Sequence, residues 1–386
     1  MSTPLHIVAD RHIWHAEQAF AHFSGYDVTL QTLEASDIQA SSVRSADILL
    51  TRSFTQVNSD LLADSTVRFV ATATIGEDHI DLPYLKQRGI GFASAAGSST
   101  GSVIEYMLAS LLQLQHMKRI SLDDCTLGII GAGRIGGLLD VICRDLGIST
   151  LCNDPPRAAL EPNAALHHLA YVLEHADILT VHTPLVLTGS HPTKHLINAD
   201  VLARFRGHGV INAGRGACVD NYALLDWLND DAQHWAILDC WEREPAIDQA
   251  LLAHPNVLIA TPHIAGHSLD GKAANTQYVY HALCEFLASP PLWQMEGELP
   301  APRPTQHLEL NSDDAWAALQ QMVSVDYPIM EDHQQMKSWL SQSDTLPQAF
   351  RHYRRHYPVR RAWAYCPWLI TDEKLKKLST KLGYLA

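Results

Sequence analysis

No apolar run in this chain approaches the roughly 18 residues that would suggest a membrane span, so no membrane partner is expected. Basic residues are scarce, with 28 Lys and Arg against 42 Asp and Glu and a formal net charge of -14. An acidic surface repels polyanions, which argues against nucleic acid as a partner. The cysteines at 125, 143, 152, 218, 240, 284 and 366 are odd in number and show no C-x-x-C pair and no metal-ligand spacing. They read as reduced, mostly buried thiols, and no metal site is expected. The first residues, MSTPLHIVADRHIW, lack the charged-then-apolar pattern of a secretory signal, so a cytoplasmic location is expected. Internal repeats and low-complexity tracts are also missing.

What the chain does have is length and a large apolar fraction. Its 386 residues, 47% hydrophobic and 18% charged, suit a globular protein of more than one domain. Short β-branched runs at 5–10, 46–52 and 67–74 read as strands, with an amphipathic stretch at 16–23 between the first two. A long apolar helix is predicted at 103–117. Beyond it a second strand series begins at 127–131, 150–154, 177–184, 209–214, 235–241 and 257–262. Strands alternating with helices predict parallel sheets covered on both faces, here two α/β units in tandem. The proline-dense stretch 289–304 reads as an extended linker. After it, DDAWAALQQMV (313–323) has an acidic start suited to a helix N-terminus, and a Lys-rich helical pattern runs over 369–382.

The most informative local motif is GIIGAGRIG, in which Gly131, Gly133 and Gly136 follow a strand and open a helix. Glycines at this spacing allow a tight turn, close approach to a pyrophosphate, and close packing of helix on strand. Asp154, eighteen residues after Gly136, ends the next strand, where a carboxylate accepts hydrogen bonds from an adenosine ribose. The same carboxylate repels a ribose 2′-phosphate, so NAD is expected over NADP, although Arg157 lies only three residues on.

A nicotinamide cofactor calls for a base to take a hydroxyl proton, and histidine suits that role near neutrality. Most of the 22 His are expected to be surface or packing residues. His263 stands apart, because TPHIAG places it just past a strand, at the edge where parallel sheets gather ligands. A carboxylate bonded to its ring would fix the tautomer and strengthen it as a base. Glu244 and Glu242 both follow the preceding strand, and the Glu244-Pro245 step, which ends extended structure at the acid itself, favours Glu244. Arg215 follows a third strand between Gly214 and Gly216, where its planar fork suits a substrate carboxylate and the oxygen of a 2-oxo group.

GIIGAGRIG, HTPL, NAGRGACVD, LDCWEREP and TPHIAG, in that order, resemble the signatures of the D-2-hydroxyacid dehydrogenase superfamily over residues 1 to about 285. Within it TRSFT (51–55), ATATIGEDHID (71–81), NDPPR (153–157) and the C-terminal extension resemble the erythronate-4-phosphate dehydrogenase family. The resemblance implies two Rossmann-like doubly wound parallel-sheet domains and a small C-terminal α+β domain. It implies a substrate domain at 1–95 and 265–287, an NAD domain at 96–264, and a dimerisation domain at 288–386 that forms a homodimer. It also implies NAD-dependent oxidation of 4-phospho-D-erythronate to its 2-oxo acid in pyridoxal 5′-phosphate synthesis. Arg215, Glu244 and His263 fall at its catalytic positions. Thr183, Ala213, Gly214, Asp239 and Gly266 join Asp154 and Arg215 at its NAD positions, and Ser53, Thr74 and His267 fall at its substrate positions.

Two residues depart from that pattern. His267 stands where the family commonly has tyrosine, and Gly214 where a cysteine is usual, the cysteine here being at 218. A phosphorylated substrate also needs positive charge, for which Arg52 is one candidate; the five arginines of RHYRRHYPVRR (351–361) read as a solvated helix face, as a phosphate-facing or dimer-contact patch, or as a nucleic-acid patch. Two other readings compete: a related dehydrogenase acting on another 2-hydroxy acid such as 3-phosphoglycerate, and a non-catalytic NAD sensor on the same fold. From Asp154, the expected kcat/KM with NAD exceeds that with NADP; steady-state kinetics with both dinucleotides check this, and equal efficiencies would remove Asp154 as the discriminating residue.

Overall fold

The computed structural model describes residues 2–308, 314–358 and 360–384. The chain forms two compact units, Met1–Ser99 with Ser268–Ala301, and Thr100–His267 with Pro302–Ala386. The predicted boundaries fell at 95, 264 and 287; the compact units instead divide at 99, 267 and 301. Residues 289–301 stay with the first unit because they are hydrogen-bonded to helix Leu269–Phe286: Leu292 N and Trp293 N donate to the Tyr280 hydroxyl, and Met295 N donates to Gln277 Oε1. The proline-dense stretch is extended, yet part of it is docked.

In the first unit, β1 (Thr3–Asp10), β2 (Tyr26–Leu33), β3 (Ile48–Thr51), β4 (Phe69–Thr72) and β5 (Gly91–Ser94) form one parallel sheet in the order β2-β1-β3-β4-β5. Strand alternation decides which side each residue joins. Leu5, Ile7, Ala9, Ile48 and Leu50 meet Val279, Tyr280 and Leu283 of the returning helix on one face. Val8, Leu49 and Val70 meet Leu61, Leu62 and Leu85 on the other. β2 and β5 were not anticipated, because edge strands need less continuous apolar sequence.

The second unit carries β6 (Thr126–Ile130), β7 (Ser149–Asn153), β8 (Ile178–Val181), β9 (Gly209–Asn212), β10 (Trp235–Leu238) and β11 (Val257–Ala260). All pairings are parallel, in the order β11-β10-β9-β8-β6-β7, and Leu166 adds a single parallel bridge to Cys152 of the edge strand β7. The chain crosses from β7 to β8 on the far side of β6. The carboxyl ends of β6 and β8 therefore border a switch point, where doubly wound sheets bind ligands.

The C-terminal segment is an α+β layer on this unit. β12 (Gln306–His307) pairs in parallel with β13 (Trp368–Leu369), among helices Ala315–Asp326, Ile329–Ser338, Leu346–Arg355 and Glu373–Leu382. Asp314 caps the first of these by accepting from Trp316 N and Ala317 N; Asp313, the other acid of the predicted start, lies outside the described residues. Trp316, Leu319, Met322, Trp363 and Tyr384 share one apolar core with Val103–Leu114 of helix Thr100–His116. Two polar contacts reinforce the seam, since Glu105 receives Trp363 N at 2.8 Å and pairs with Arg360. All seven cysteines are buried and none forms a disulfide. Among the described residues no helix is long and apolar enough to cross a membrane.

Trp363 is fully buried and stacks on Tyr384, ring centroids 5.1 Å apart. Truncation to Trp363→Ala leaves a cavity in the shared core, with an expected destabilisation of about 3–5 kcal/mol. Chemical denaturation checks this; a loss of less than about 1 kcal/mol would mean that the C-terminal layer is not integral to the second unit's core.

Candidate active site

The loops after β6 to β11 carry nearly every residue singled out in the second unit. Gly131 turns the chain at φ +91°, a conformation that favours glycine, and a Cβ there would lie 2.9 Å from Thr183 N. A Cβ at Gly136 would fall 2.0 Å from Gly131 O, so that glycine is required for helix Arg134–Leu146 to pack on its own loop. A Cβ at Gly133 would meet nothing within 4 Å. The backbone is thus open at the second glycine, directly ahead of a helix start with no side-chain cap. Such N–H groups suit a pyrophosphate, so the residues present fit a dinucleotide.

Asp154 caps the helix after β7. Its Oδ1 accepts from Arg157 N at 3.0 Å and its Oδ2 from Ala132 N at 2.9 Å, tying the end of β7 to the glycine loop. A carboxylate accepts up to about four hydrogen bonds, which leaves capacity for ribose hydroxyls. The Arg157 side chain is held back along the loop, donating to Ala132 O at 2.8 Å and pairing with Glu161 at 3.0 Å. Gly214 follows buried Ala213 and lies so close to β8 that a Cβ would come within 2.9 Å of Val181 O. The nearby cysteine at 218 accepts from the Thr183 hydroxyl at 3.4 Å.

Three acids follow β10 and each has its own task. Asp239 is 1% exposed, and its carboxylate accepts from Thr261 Oγ1 (2.7 Å), Ile264 N (2.7 Å) and Ala265 N (3.0 Å). Both oxygens are committed to the loop after β11. Burial pushes this carboxyl above its ordinary range, against the opposing charge of His263 and those donors. Glu242 accepts from Asn221 N at 3.1 Å and pairs with His195 at 2.7 Å, beside Asp220, in a separate cluster. Glu244 receives Trp241 N at 2.8 Å on one oxygen and meets His263 Nδ1 at 2.8 Å on the other. Burial alone would raise Glu244. The facing His263 charge and its hydrogen bond, with Arg354 and Trp241 N–H, outweigh burial and hold the carboxyl below its ordinary range.

His263 adopts φ +55°, with its N–H donating to Asp239 O at 2.8 Å. Because Glu244 is held ionised, the shared proton belongs on Nδ1 and the Nε2 lone pair is left to act as a base. Arg215 follows β9; its guanidinium donates to Gly214 O at 2.9 Å, while its own carbonyl receives Asn212 Nδ2 at 3.1 Å. Gly216 passes so close to Trp241 that a Cβ would sit 1.8 Å from its carbonyl oxygen, so the Arg215 turn and the acidic loop must be built together. Gly266 and His267 close the β11 loop, with His267 N donating to Ile264 O at 2.8 Å and its ring edge-on to Tyr357 at 6.2 Å.

Ser53 and Thr74 belong to the first unit, after β3 and β4. The Thr74 hydroxyl is tied to Thr72 Oγ1 at 2.8 Å and donates to Gly76 O at 3.0 Å, and Thr72 in turn meets His79 Nε2 at 3.0 Å. The sequence reading did not pick out Trp241 N–H as a Glu244 partner, nor Arg354 as a neighbour of His263, whose carbonyl accepts from Arg354 Nε at 3.2 Å. The first is a backbone group. The second comes from 91 residues away, a separation that leaves no local pattern.

Residues 105–265 match the family described as D-isomer specific 2-hydroxyacid dehydrogenase, NAD binding domain. Among solved structures, D-lactate dehydrogenase from Aquifex aeolicus, complexed with NAD and lactic acid, superposes at TM-score 0.61 and 21% identity, covering 73% of this chain and 95% of that one. NAD-bound 3-phosphoglycerate dehydrogenase from Entamoeba histolytica superposes at TM-score 0.62 and 18% identity, covering 74% and 96%. At those identities the likeness is one of fold. The chain is 42% identical to erythronate-4-phosphate dehydrogenase of Azotobacter vinelandii, over 92% of this chain and 93% of that protein. It is 38% identical to the enzyme of the same name from Edwardsiella ictaluri, over 98% of each chain. With relatives of one name matched along nearly their whole length, the chain belongs to the erythronate-4-phosphate dehydrogenase family.

Proposed function

We propose that this protein oxidises 4-phospho-D-erythronate at C2 to (R)-3-hydroxy-2-oxo-4-phosphooxybutanoate, with NAD as the acceptor, in the synthesis of pyridoxal 5′-phosphate. The observation that carries this reading is the 2.8 Å contact between His263 Nδ1 and an ionised Glu244 at the carboxyl edge of the second sheet. Family membership supplies the substrate, and the glycine loop with Asp154 suits the cofactor.

Held by the glycine loop and Asp154, NAD would supply the acceptor for the hydride from C2. His263 Nε2 accepts the C2 hydroxyl proton, and Glu244 stabilises the imidazolium that forms. Arg215 binds the substrate carboxylate and the C2 oxygen through its two-point fork. Gly131, Gly133, Gly136, Asp154, Thr183, Ala213, Gly214, Arg215, Asp239 and Gly266 form the cofactor side. Ser53, Thr74 and His267 contact the substrate, and Arg52, next to Ser53, answers the phosphate charge. In this reading the first unit is the substrate side, the C-terminal layer forms a homodimer contact, and the enzyme works in the cytoplasm.

NADH production with 4-phosphoerythronate is expected to exceed that with 3-phosphoglycerate; turnover of only the latter points to another 2-hydroxy acid, and binding of NAD with no turnover of either points to a sensor. The two neighbouring acids separate just as clearly. Glu244→Gln removes the charge that favours the imidazolium, so kcat is expected to fall about a hundredfold and the acid limb of the pH profile to move to lower pH. Glu242→Gln, whose partners are His195 and Asn221, is expected to stay within about threefold of the parent. A pH-resolved kinetic series checks both, and the reverse ranking would reassign the partner of His263.

A further inference from the structure

The C-terminal layer reaches the loop that carries His263. Helix Leu346–Arg355 is anchored by Leu346 and Phe350, both buried in the same core as Trp241 and Leu251. Its polar side is fixed through Asp332 of helix Ile329–Ser338, which accepts from the Tyr353 hydroxyl at 2.6 Å and the Tyr357 hydroxyl at 2.8 Å. Between those two tyrosines lies Arg354, whose Nε donates to His263 O at 3.2 Å. A half-buried arginine is thus clamped on the residue proposed as the base, from a segment that follows the dinucleotide-binding sheet and lies outside the matched 105–265 region.

From this geometry we infer that Arg354 is a positioning residue of the reaction: it holds the His263 carbonyl in the left-handed turn and sets a fixed positive charge beside the Glu244–His263 pair. This assignment rests on the reading of His263 as base given above. The backbone argument comes first. A non-glycine residue at φ +55° is held against an intrinsic cost of about 1 kcal/mol or more. His263 is fixed there on both sides, its N–H by Asp239 O and its carbonyl by Arg354. With the carbonyl released, the Asp239 bond and the Glu244 contact would have to hold the ring in line without it.

The electrostatic argument has a definite sign. The charged and titratable groups around Glu244 are His263 on the β11 loop and Arg354 on the C-terminal helix, with Asp239 and the Cys240 thiol, which burial keeps protonated, at the end of β10 and Arg215 near Cys240. Arg354 favours the carboxylate form of Glu244 and opposes a second positive charge on the pair. Removing it makes the pair easier to protonate, so the limb of the rate profile that requires the neutral base moves to higher pH. That is opposite to the direction expected for Glu244→Gln.

The test measures kcat and kcat/KM against pH for Arg354→Ala, Arg354→Lys and the exposed control Lys374→Ala, with NAD affinity by titration as the check on folding. Arg354→Ala is expected to keep NAD affinity, to lose about tenfold in kcat, and to shift the acid limb upward by about half a pH unit, the scale of one partly exposed charge. Arg354→Lys retains the charge, so its acid limb should match the parent while kcat recovers only in part. Lys374→Ala should match the parent throughout. An unchanged profile for Arg354→Ala, or a lower kcat with an unmoved limb that Arg354→Lys does not improve, would overturn the assignment. If Arg354→Ala lost NAD affinity, Arg354→Lys would decide alone: a parental acid limb with kcat above that of Arg354→Ala supports the assignment, and loss equal to Arg354→Ala overturns it. Glu244→Gln measured alongside separates the two readings, since full activity there removes the proposed base pair itself, whereas its loss with an indifferent Arg354 removes only the present inference.

Discussion

The arrangement at the second sheet's edge depends on the burial of one carboxylate, Asp239. An ionised group that is 1% exposed costs several kcal/mol in lost hydration. Three donors converge on it and offset part of that cost, the Thr261 hydroxyl and the N–H groups of Ile264 and Ala265, each contributing on the order of 1.5–3 kcal/mol to a charged acceptor. The donors come from a five-residue span with His263 at its centre. The compensation therefore folds the loop around the acid, and the Asp239 carbonyl completes it by taking His263 N–H. Tyr106 extends the network into helix Thr100–His116 through its 3.0 Å contact with Thr261 Oγ1.

The same stretch of chain distributes its acids by backbone direction. Arg243 lies between Glu242 and Glu244 at φ +59°, and that reversal sends the two side chains to different places. Glu242 joins His195, Asp220 and Asn221, while Glu244 returns to Trp241 N–H and His263. Glu244 is ionised because cations and donors around it outweigh burial; Asp239 is raised because burial outweighs its donors. The difference suits the roles proposed for them, since an acid that faces a histidine acting as base must carry a charge through the cycle.

Much of this was legible in the chain. The six strands of the second series lie within a residue or so of their predicted starts, because buried parallel strands are continuous apolar runs ended by glycine or polar residues. The preference for Glu244 over Glu242 rested on one proline, and of the two acids it is Glu244 that meets His263, at 2.8 Å. What escaped has a physical pattern. β2 alternates exposed and half-buried positions and β5 is only half-buried throughout, so neither offers an apolar run. The docking of 289–301 depends on a tyrosine hydroxyl and a glutamine side chain, groups that carry no periodicity. Arg354 sits in a basic run of five arginines that also reads as a solvated helix face, and only tertiary packing distinguishes it, at His263, and Arg360, at Glu105, from the other three.

The C-terminal layer also resolves a difficulty that the sheet order creates. β11 carries the His263 loop at its carboxyl end, yet it is the outer strand of its sheet, with backbone donors that would otherwise be unpaired. Ala260 N donates instead to Nδ1 of His333, from helix Ile329–Ser338, at 3.0 Å. That bond needs a neutral imidazole, since a protonated ring has no acceptor nitrogen. Burial, aided by Lys337, pushes His333 down to about 4, so the acceptor persists across the neutral range. The hydrogen bond that closes the seam between strand and helix thus persists at neutral pH. The helix that closes it bears Asp332, which anchors the tyrosines flanking Arg354. Edge protection of β11 and delivery of a charge to His263 are therefore two results of one docking event, and the C-terminal layer cannot serve the first without fixing the second.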